Sequence, residues 1–454
     1  MKPTAKRIIL LLALSLAIGS TALAEKIAFP LKVSANGRYF VDQNNVPFFW
    51  LGTTQWELFH GYTLEDAKTI IEGSKKDGFT VIQVKLLGGD CTKPNAYGQK
   101  AMIDDDPAKP NEAYFKNMDA VVKIAADNNL IILPAVYHQR YRKYITVEKA
   151  RAWAKWLAER YKDAPNIVWT STPEAKKEFI PIIQELAVGL REGDGGRHLI
   201  SFKPDPSPYS SSFLHDEKWL DFNSMQTWNA VKLIQPMLAY DYNLKPAKPI
   251  LMAEGAYETG TEYSFDVTPL WVRRQAYYSY LAGAVHAYGH NANWRLLPSW
   301  KEALDAPGAV QMGVLKDIFT ARKEWWLLVP DQSVFASGGE LVPIALPKYD
   351  ATEKERTAYV RGLKPSMTNG RETGDLLHLA ARHEGGKWAM IYLADKATFS
   401  VNMNKINSPK VNLSWVNPID GHAVSAGQEP NTGVKSFTTP DDWEDSLLIL
   451  EAAE

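Results

Sequence analysis

Lys248-Pro249-Ile250-Leu251-Met252-Ala253-Glu254-Gly255-Ala256-Tyr257-Glu258 is the stretch that decides the fold. Ile250 to Ala253 is a short apolar run, and Pro249 suits the first residue of a strand, where no ladder donor is needed. The run ends on a carboxylate, and Gly255 marks a sharp turn just beyond it. An acid at the carboxyl end of a buried strand, followed by Gly, Tyr and Glu, stands where (β/α)8 barrels carry their chemistry. A helical pattern follows from about residue 268 to 283. A lone acid after a strand is more often a solvated loop residue, so the weight of Glu254 depends on the rest of the chain.

Working outward, the same strand–helix unit recurs. Residues 46–52 are a first strand, with Thr53-Thr54-Gln55-Trp56 as its exit and Thr63 capping a helix that runs to about Lys76. Residues 78–86 form a second strand, and the long polar loop after Gly88 has the length of a functional loop. Residues 130–136 form a third, with Tyr137-His138 at its exit. Residues 166–170, 198–202 and 222–226 are the fourth, fifth and sixth, Thr227-Trp228-Asn229 being the exit of the sixth. Residues 250–253 and 284–289 complete the set, the last followed by His290-Asn291-Ala292-Asn293-Trp294. Eight such units predict an α/β chain folded as a (β/α)8 TIM barrel. On the helix at 147–161, Trp153 and Trp156 fall on the apolar face and are expected in the core.

From about Leu341 helical periodicity nearly vanishes. Short apolar runs at 376–382, 388–393, 412–416 and 446–450, separated by turn residues, predict a C-terminal β-sandwich. At the other end, Lys2, Lys6 and Arg7 precede the apolar stretch Ile8 to Ile18, and Ala22-Leu23-Ala24 has the small-x-small form of a cleavage site. The chain therefore divides into a signal peptide at 1–24, a barrel domain at 25–340 and a β-sandwich at 341–454. The mature protein is expected to be exported, to the periplasm or the medium, with no membrane span. Removing those three cations takes the net charge from -1 to -4.

Composition is that of an ordinary globular protein, 45% hydrophobic and 23% charged. No basic stripe suggests nucleic acid as a partner. Cys91 is the single cysteine, which excludes an intramolecular disulfide and a multi-thiolate zinc site. The 15 Trp suit a carbohydrate partner, because sugar rings stack their apolar faces on aromatic rings, although core packing must use most of them. No cofactor is expected. His286 and His290 stand four apart, but on a strand and its loop rather than on a helix, so no metal is expected either.

Glycoside hydrolysis needs two carboxyl groups flanking one bond, one to protonate the leaving oxygen and one to attack or to activate water. Glu174, just past strand four, and Glu254, at strand seven, meet that requirement. Further candidates for the sugar pocket are Trp56, His138, Gln226, Trp228, His290 and Trp294 at strand exits, and Lys85, set by alternation with Gln83 near the barrel mouth. Tyr257 and Glu258 complete the set, Glu258 either holding a substrate hydroxyl or orienting Tyr257. Each of these alone also has an ordinary reading as a packed or capping loop residue.

The use of strands four and seven resembles the retaining glycosidases of the large barrel clan A. Residues 48–52, 78–83, 166–169 and 248–250, with Glu254, Tyr257 and Glu258, resemble the apiosidase-like catalytic domain of glycoside hydrolase family 140. Residues 325–331 and 415–421 resemble the collagen-binding-like β-domain that accompanies it. The likeness covers nearly the whole mature chain and implies an exported glycosidase acting on a plant or algal polysaccharide, or on an oligosaccharide cut from one. One departure stands out. The family has Trp-x-x-Gly-Gly-Asp after strand four, and here the run is Trp169-Thr170-Ser171-Thr172-Pro173-Glu174. That change keeps a rival in play: a catalytically inactive carbohydrate-binding protein on the same fold. A third class, a metal-dependent hydrolase, would lose its activity to a chelator.

Overall fold

The structure, a computed structural model, describes residues 27–171, 177–204, 210–263, 265–346 and 376–453, with isolated positions between 352 and 372. The predicted signal peptide and Glu174 lie outside the described residues. A small antiparallel sheet comes first, of β1 (Lys32–Val33), β2 (Phe40–Val41) and β3 (Pro47–Phe48). Then follow β4 (Leu51–Thr54), β5 (Val81–Lys85), β6 (Ile131–Ala135), β7 (Trp169–Thr170), β8 (Ile200–Ser201), β9 (Asn223–Trp228), β10 (Ile250–Gly255) and β11 (Val285–Gly289). These eight are parallel, in the order β8-β7-β6-β5-β4-β11-β10-β9. The ring closes where Ser201 bridges Phe222, and the Ser201 hydroxyl donates to the Phe222 carbonyl at 2.8 Å. The (β/α)8 barrel is thus as the sequence predicts.

The small sheet has a purpose in this arrangement. Leu31, Phe40, Phe48 and Trp50 pack with Val81, Ile131, Val168, Phe222 and Leu251 in one apolar cluster at the start of the strands. Full burial of each Leu, Ile or Phe there stabilises the fold by roughly 1.5–3 kcal/mol. This plug seals one end of the barrel and leaves the carboxyl ends of the strands as the open face. Sequence and structure differ here. The apolar run at 46–52 is not one strand but two, β3 and β4, belonging to different sheets and broken at Phe49-Trp50.

The helices cover the outside. Helix α1 (Leu64–Lys76) starts as expected, with Thr63 accepting from Asp66 N, and α2 (Glu112–Asp127) starts at Asn111. In α3 (Val147–Tyr161), Trp153 is buried and donates to the Val136 carbonyl at 3.2 Å, while Trp156 packs beside it. Both are core residues, as predicted. Next come α4 (Ile180–Asp194), the single turn α5 (Ser211–Leu214) and α6 (Ile234–Asn243). Every residue of α7 (Pro269–Leu281) from Trp271 onward is buried, because it lies between the barrel and the C-terminal sheets. The one-turn α8 (Asn291–Trp294) and α9 (Pro307–Thr320) complete the set. No described helix is long and apolar enough to cross a membrane.

The C-terminal strands form a six-stranded antiparallel sheet and a three-stranded one. The strand Trp388–Leu393 is buried on both faces. Its Trp388, Met390 and Tyr392 join the barrel-side core with Tyr277 and Phe319, whereas Ala389, Ile391 and Leu393 face Phe399, Val401 and Leu448 in the sandwich core. Period-two alternation thus splits one strand between two cores. Leu328–Pro330 and Phe335–Ser337 already pair into these two sheets, so the chain enters the second sheet system ahead of the change in sequence texture at 341.

Candidate active site

The open face gathers its chemistry on the ends of β4, β5, β9 and β10 and the loops after β8 and β11. Glu254 is a residue of β10 itself, paired with Gln226 of β9, and register shifts flank that pair. The strand therefore reaches past Ala253 to Gly255. Gly255 is required by a close approach: a Cβ there would stand 2.3 Å from Gln275 Oε1. That amide of α7 accepts from Ala256 N at 2.7 Å and donates to the Ala256 carbonyl at 3.0 Å. It clamps the turn from Glu254 to Tyr257.

Glu254 is 7% exposed and forms an ion pair with the ammonium of Lys203, which is 2% exposed. Tyr257, also buried, accepts from Trp56 Nε1 at 2.7 Å, and its hydroxyl is in hydrogen-bond contact with Glu254. Burial first, and then the Glu254 charge, push the Tyr257 phenol well above its ordinary range, so it stays protonated and donates. The Lys203 ammonium lies 4.7 Å over the Trp56 ring centre and that of Lys85 lies 5.6 Å from it. Trp56, Lys85, Tyr257 and Glu254, all proposed from sequence, thus meet in one cluster. Lys203 was not foreseen. Ser201 and Lys203 share one face of an extended chain, and that parity was the available signal.

Gln226 is fully buried beside Glu254 and donates to the Pro204 carbonyl at 2.7 Å. Its Oε1, together with Thr227 Oγ1 and Trp294 Nε1, is buried without a partner among the described residues. Unpaired buried polar atoms are expensive, and that of Gln226 belongs to the residue paired with Glu254 across the two strands. Trp294 meets the Tyr257 ring edge-on, centres 6.3 Å apart. Trp228 ends β9 opposite Gly255 with φ of 47°. That region is strained for a bulky side chain, and such strain concentrates at functional sites.

Other predicted residues have different occupations. Glu258 is not at the surface and does not join the cluster. Its carboxylate accepts from the Tyr288 hydroxyl at 2.5 Å and from Gly308 N at 3.2 Å, the amide at the start of α9, where an anion is favoured. His290 caps α8, accepting from Ala292 N at 3.1 Å, and burial pulls its pKa down to about 4. His138 accepts from Arg140 N at 3.1 Å, and its ring lies tilted against that of Tyr141, centres 5.6 Å apart. His286 stands 3.1 Å from the Ser279 hydroxyl, so it and His290 are engaged apart from each other. Among the described residues, no group of three or more metal-ligand side chains comes together.

Glu57 is the other functional candidate that sequence reasoning missed. It follows Trp56, is 9% exposed, and accepts from Gly89 N. Burial raises its pKa, against the opposing pull of Lys85.

The chain was compared with known proteins. The family model described as the apiosidase-like catalytic domain matches residues 34–326, and a collagen-binding-like domain model of a collagenase matches 366–451. No curated protein matches. Among solved structures, one titled a glycoside hydrolase is 26% identical, covers 94% of this chain and 97% of its own, and superposes with a TM-score of 0.79. A glycoside hydrolase family 5 structure from Bacteroides vulgatus ATCC 8482 is 25% identical over 93% of each chain, with a TM-score of 0.80.

Proposed function

This chain belongs to the apiosidase-like catalytic family and is a glycoside hydrolase; on that footing we propose that it cleaves its glycosidic bond with retention, through a covalent intermediate on Glu254. The observation that carries this is the setting of Glu254. It is a buried carboxylate at a strand end, aimed by a Tyr257 hydroxyl and paired with the Lys203 ammonium. Those two donors hold the anion in place for attack on the anomeric carbon and stabilise it again when water displaces the sugar. Glu174, assigned from the sequence alone, is the acid that protonates the leaving oxygen and then the base that activates water. Retention calls for two carboxyl groups about 5–5.5 Å apart. Residues 1–24 export the chain, and the substrate is a plant or algal polysaccharide or an oligosaccharide derived from one. Proton NMR of the reaction tests the stereochemistry. Retention predicts that the first sugar released has the anomeric configuration of the substrate; the opposite anomer rules the mechanism out.

The altered run Thr172-Pro173-Glu174 favours one other reading, an inactive carbohydrate-binding protein. Incubation with a glycan panel separates the two, since binding without released sugar belongs to the second.

A further inference from the structure

Beside the Glu254 cluster the open face carries a groove of about 820 Å³, lined among others by Glu57, His60, Gly89, Asp90, Arg140 and Tyr144. That volume is in the range of roughly 300–1,000 Å³ typical of small-molecule sites. Its inner wall begins one residue from Trp56, whose indole N–H holds Tyr257 against Glu254. It is a built feature rather than a gap between loops. Gly88 has φ of +65°, and a Cβ there would come 2.6 Å from His60 and 2.8 Å from Glu57. Only glycine lets the loop press on both side chains. The Tyr141 hydroxyl donates to the Gly88 carbonyl and pins that loop from below.

The groups facing the groove are those that grip hydroxyls. Glu57 is mostly buried, yet lines the cavity, and among the described residues Gly89 N is the donor that holds it. An ionised carboxylate has about four acceptor sites, so several remain for a ligand. His60 Nδ1 is buried with no partner among the described residues. The Lys85 charge stands close enough to favour the ionised form of Glu57, as does that of Arg140. Nothing in the reaction at Glu254 uses this carboxylate.

We propose that this groove is a second sugar subsite, in which Glu57 takes two hydroxyls of a ring joined to the one cleaved at Glu254. This rests on the glycosidase reading above. Its consequence is a length preference. A substrate with a ring in the groove gains charge-assisted hydrogen bonds that an aryl monosaccharide cannot make, a difference of about 10- to 100-fold.

The test uses the full chain, a panel of p-nitrophenyl glycosides, and oligosaccharides released from pectin and hemicellulose. For the substrates that the wild-type protein cleaves, Glu57→Gln is expected to lower kcat/KM on the oligosaccharide at least tenfold more than on the aryl glycoside. Equal losses on the two mean that Glu57 only supports the fold and overturn the subsite, as does no loss on either. If the wild-type protein binds an oligosaccharide without cleaving anything, the glycosidase reading fails separately. Calorimetric titration of Glu57→Gln with that oligosaccharide then decides the subsite, a tenfold or greater loss of affinity supporting it and an unchanged affinity overturning it. A protein that neither binds nor cleaves any of them contradicts both.

Discussion

Lys203 shows what a single residue contributes here. Its ammonium is buried, paired with Glu254 and set over the Trp56 ring. Lys203→Met removes the cation and leaves a carboxylate buried without it. Breaking a buried pair from one side costs on the order of 3–5 kcal/mol, so denaturant unfolding should show a lowered midpoint and turnover should fall sharply. Wild-type stability in that variant would mean that the pair is not formed in solution. Glu174→Ala tests the acid. It should damage substrates with poor leaving groups far more than activated aryl glycosides, which need little protonation, by on the order of 100-fold. Equal losses would make Glu174 structural. Glu254 was legible from sequence because an acid that closes a buried apolar run, with glycine directly after it, has the pattern of a barrel strand's functional end. Lys203 and Glu57 were not, since a charged residue at a loop start looks solvated until the fold closes over it.

At the scale of elements, the strands were legible and their ends were not. Thr227 and Trp228 belong to β9, and Glu254 and Gly255 to β10, because the two strands keep pairing through register shifts that no periodicity reveals. Along β11 a titration can be read. His286 is 1% exposed, and burial depresses its pKa from 6.5 to about 3. Below pH 6.5 the unfolded chain binds a proton that the folded one refuses, so stability is full above that pH and is lost as pH falls toward 3. His286→Gln should flatten the fall between pH 6.5 and 4.5 by roughly 2 kcal/mol relative to wild type, measured by denaturant unfolding. Parallel curves for the two proteins would show that His286 titrates normally. Gly255→Ala should displace the Gln275 clamp and with it Tyr257, so activity falls more than thermal stability does.

At the scale of the whole molecule, the two sheet systems share one core. Met312, Phe319 and Tyr277 of the barrel helices pack with Trp388, Tyr392 and Ile449. Arg273 of α7 is 1% exposed and makes hydrogen bonds of 2.8 and 2.6 Å to the two oxygens of Asp445. A chain ending at residue 327 should therefore uncover α7, whose Tyr277 and Tyr278 are buried and whose Arg273 would lose Asp445, and aggregate. If it folds with wild-type stability, the C-terminal sheets are an independent module. The change from helical to strand texture was legible in the sequence. The shared core was not, because an apolar strand with both faces buried does not tell what lies on either side.

Azide rescue of Glu254→Ala tests the central claim, that Glu254 is the nucleophile, most directly. The substitution empties a small space beside the Lys203 ammonium, which suits a small anion. With an activated aryl glycoside, azide should restore turnover and yield a glycosyl azide of the anomeric configuration opposite to the substrate's. A glycosyl azide of the same configuration would make Glu254 the acid–base residue instead. No rescue, with the variant folded and still active above about 1% of wild type, would remove it from the chemistry.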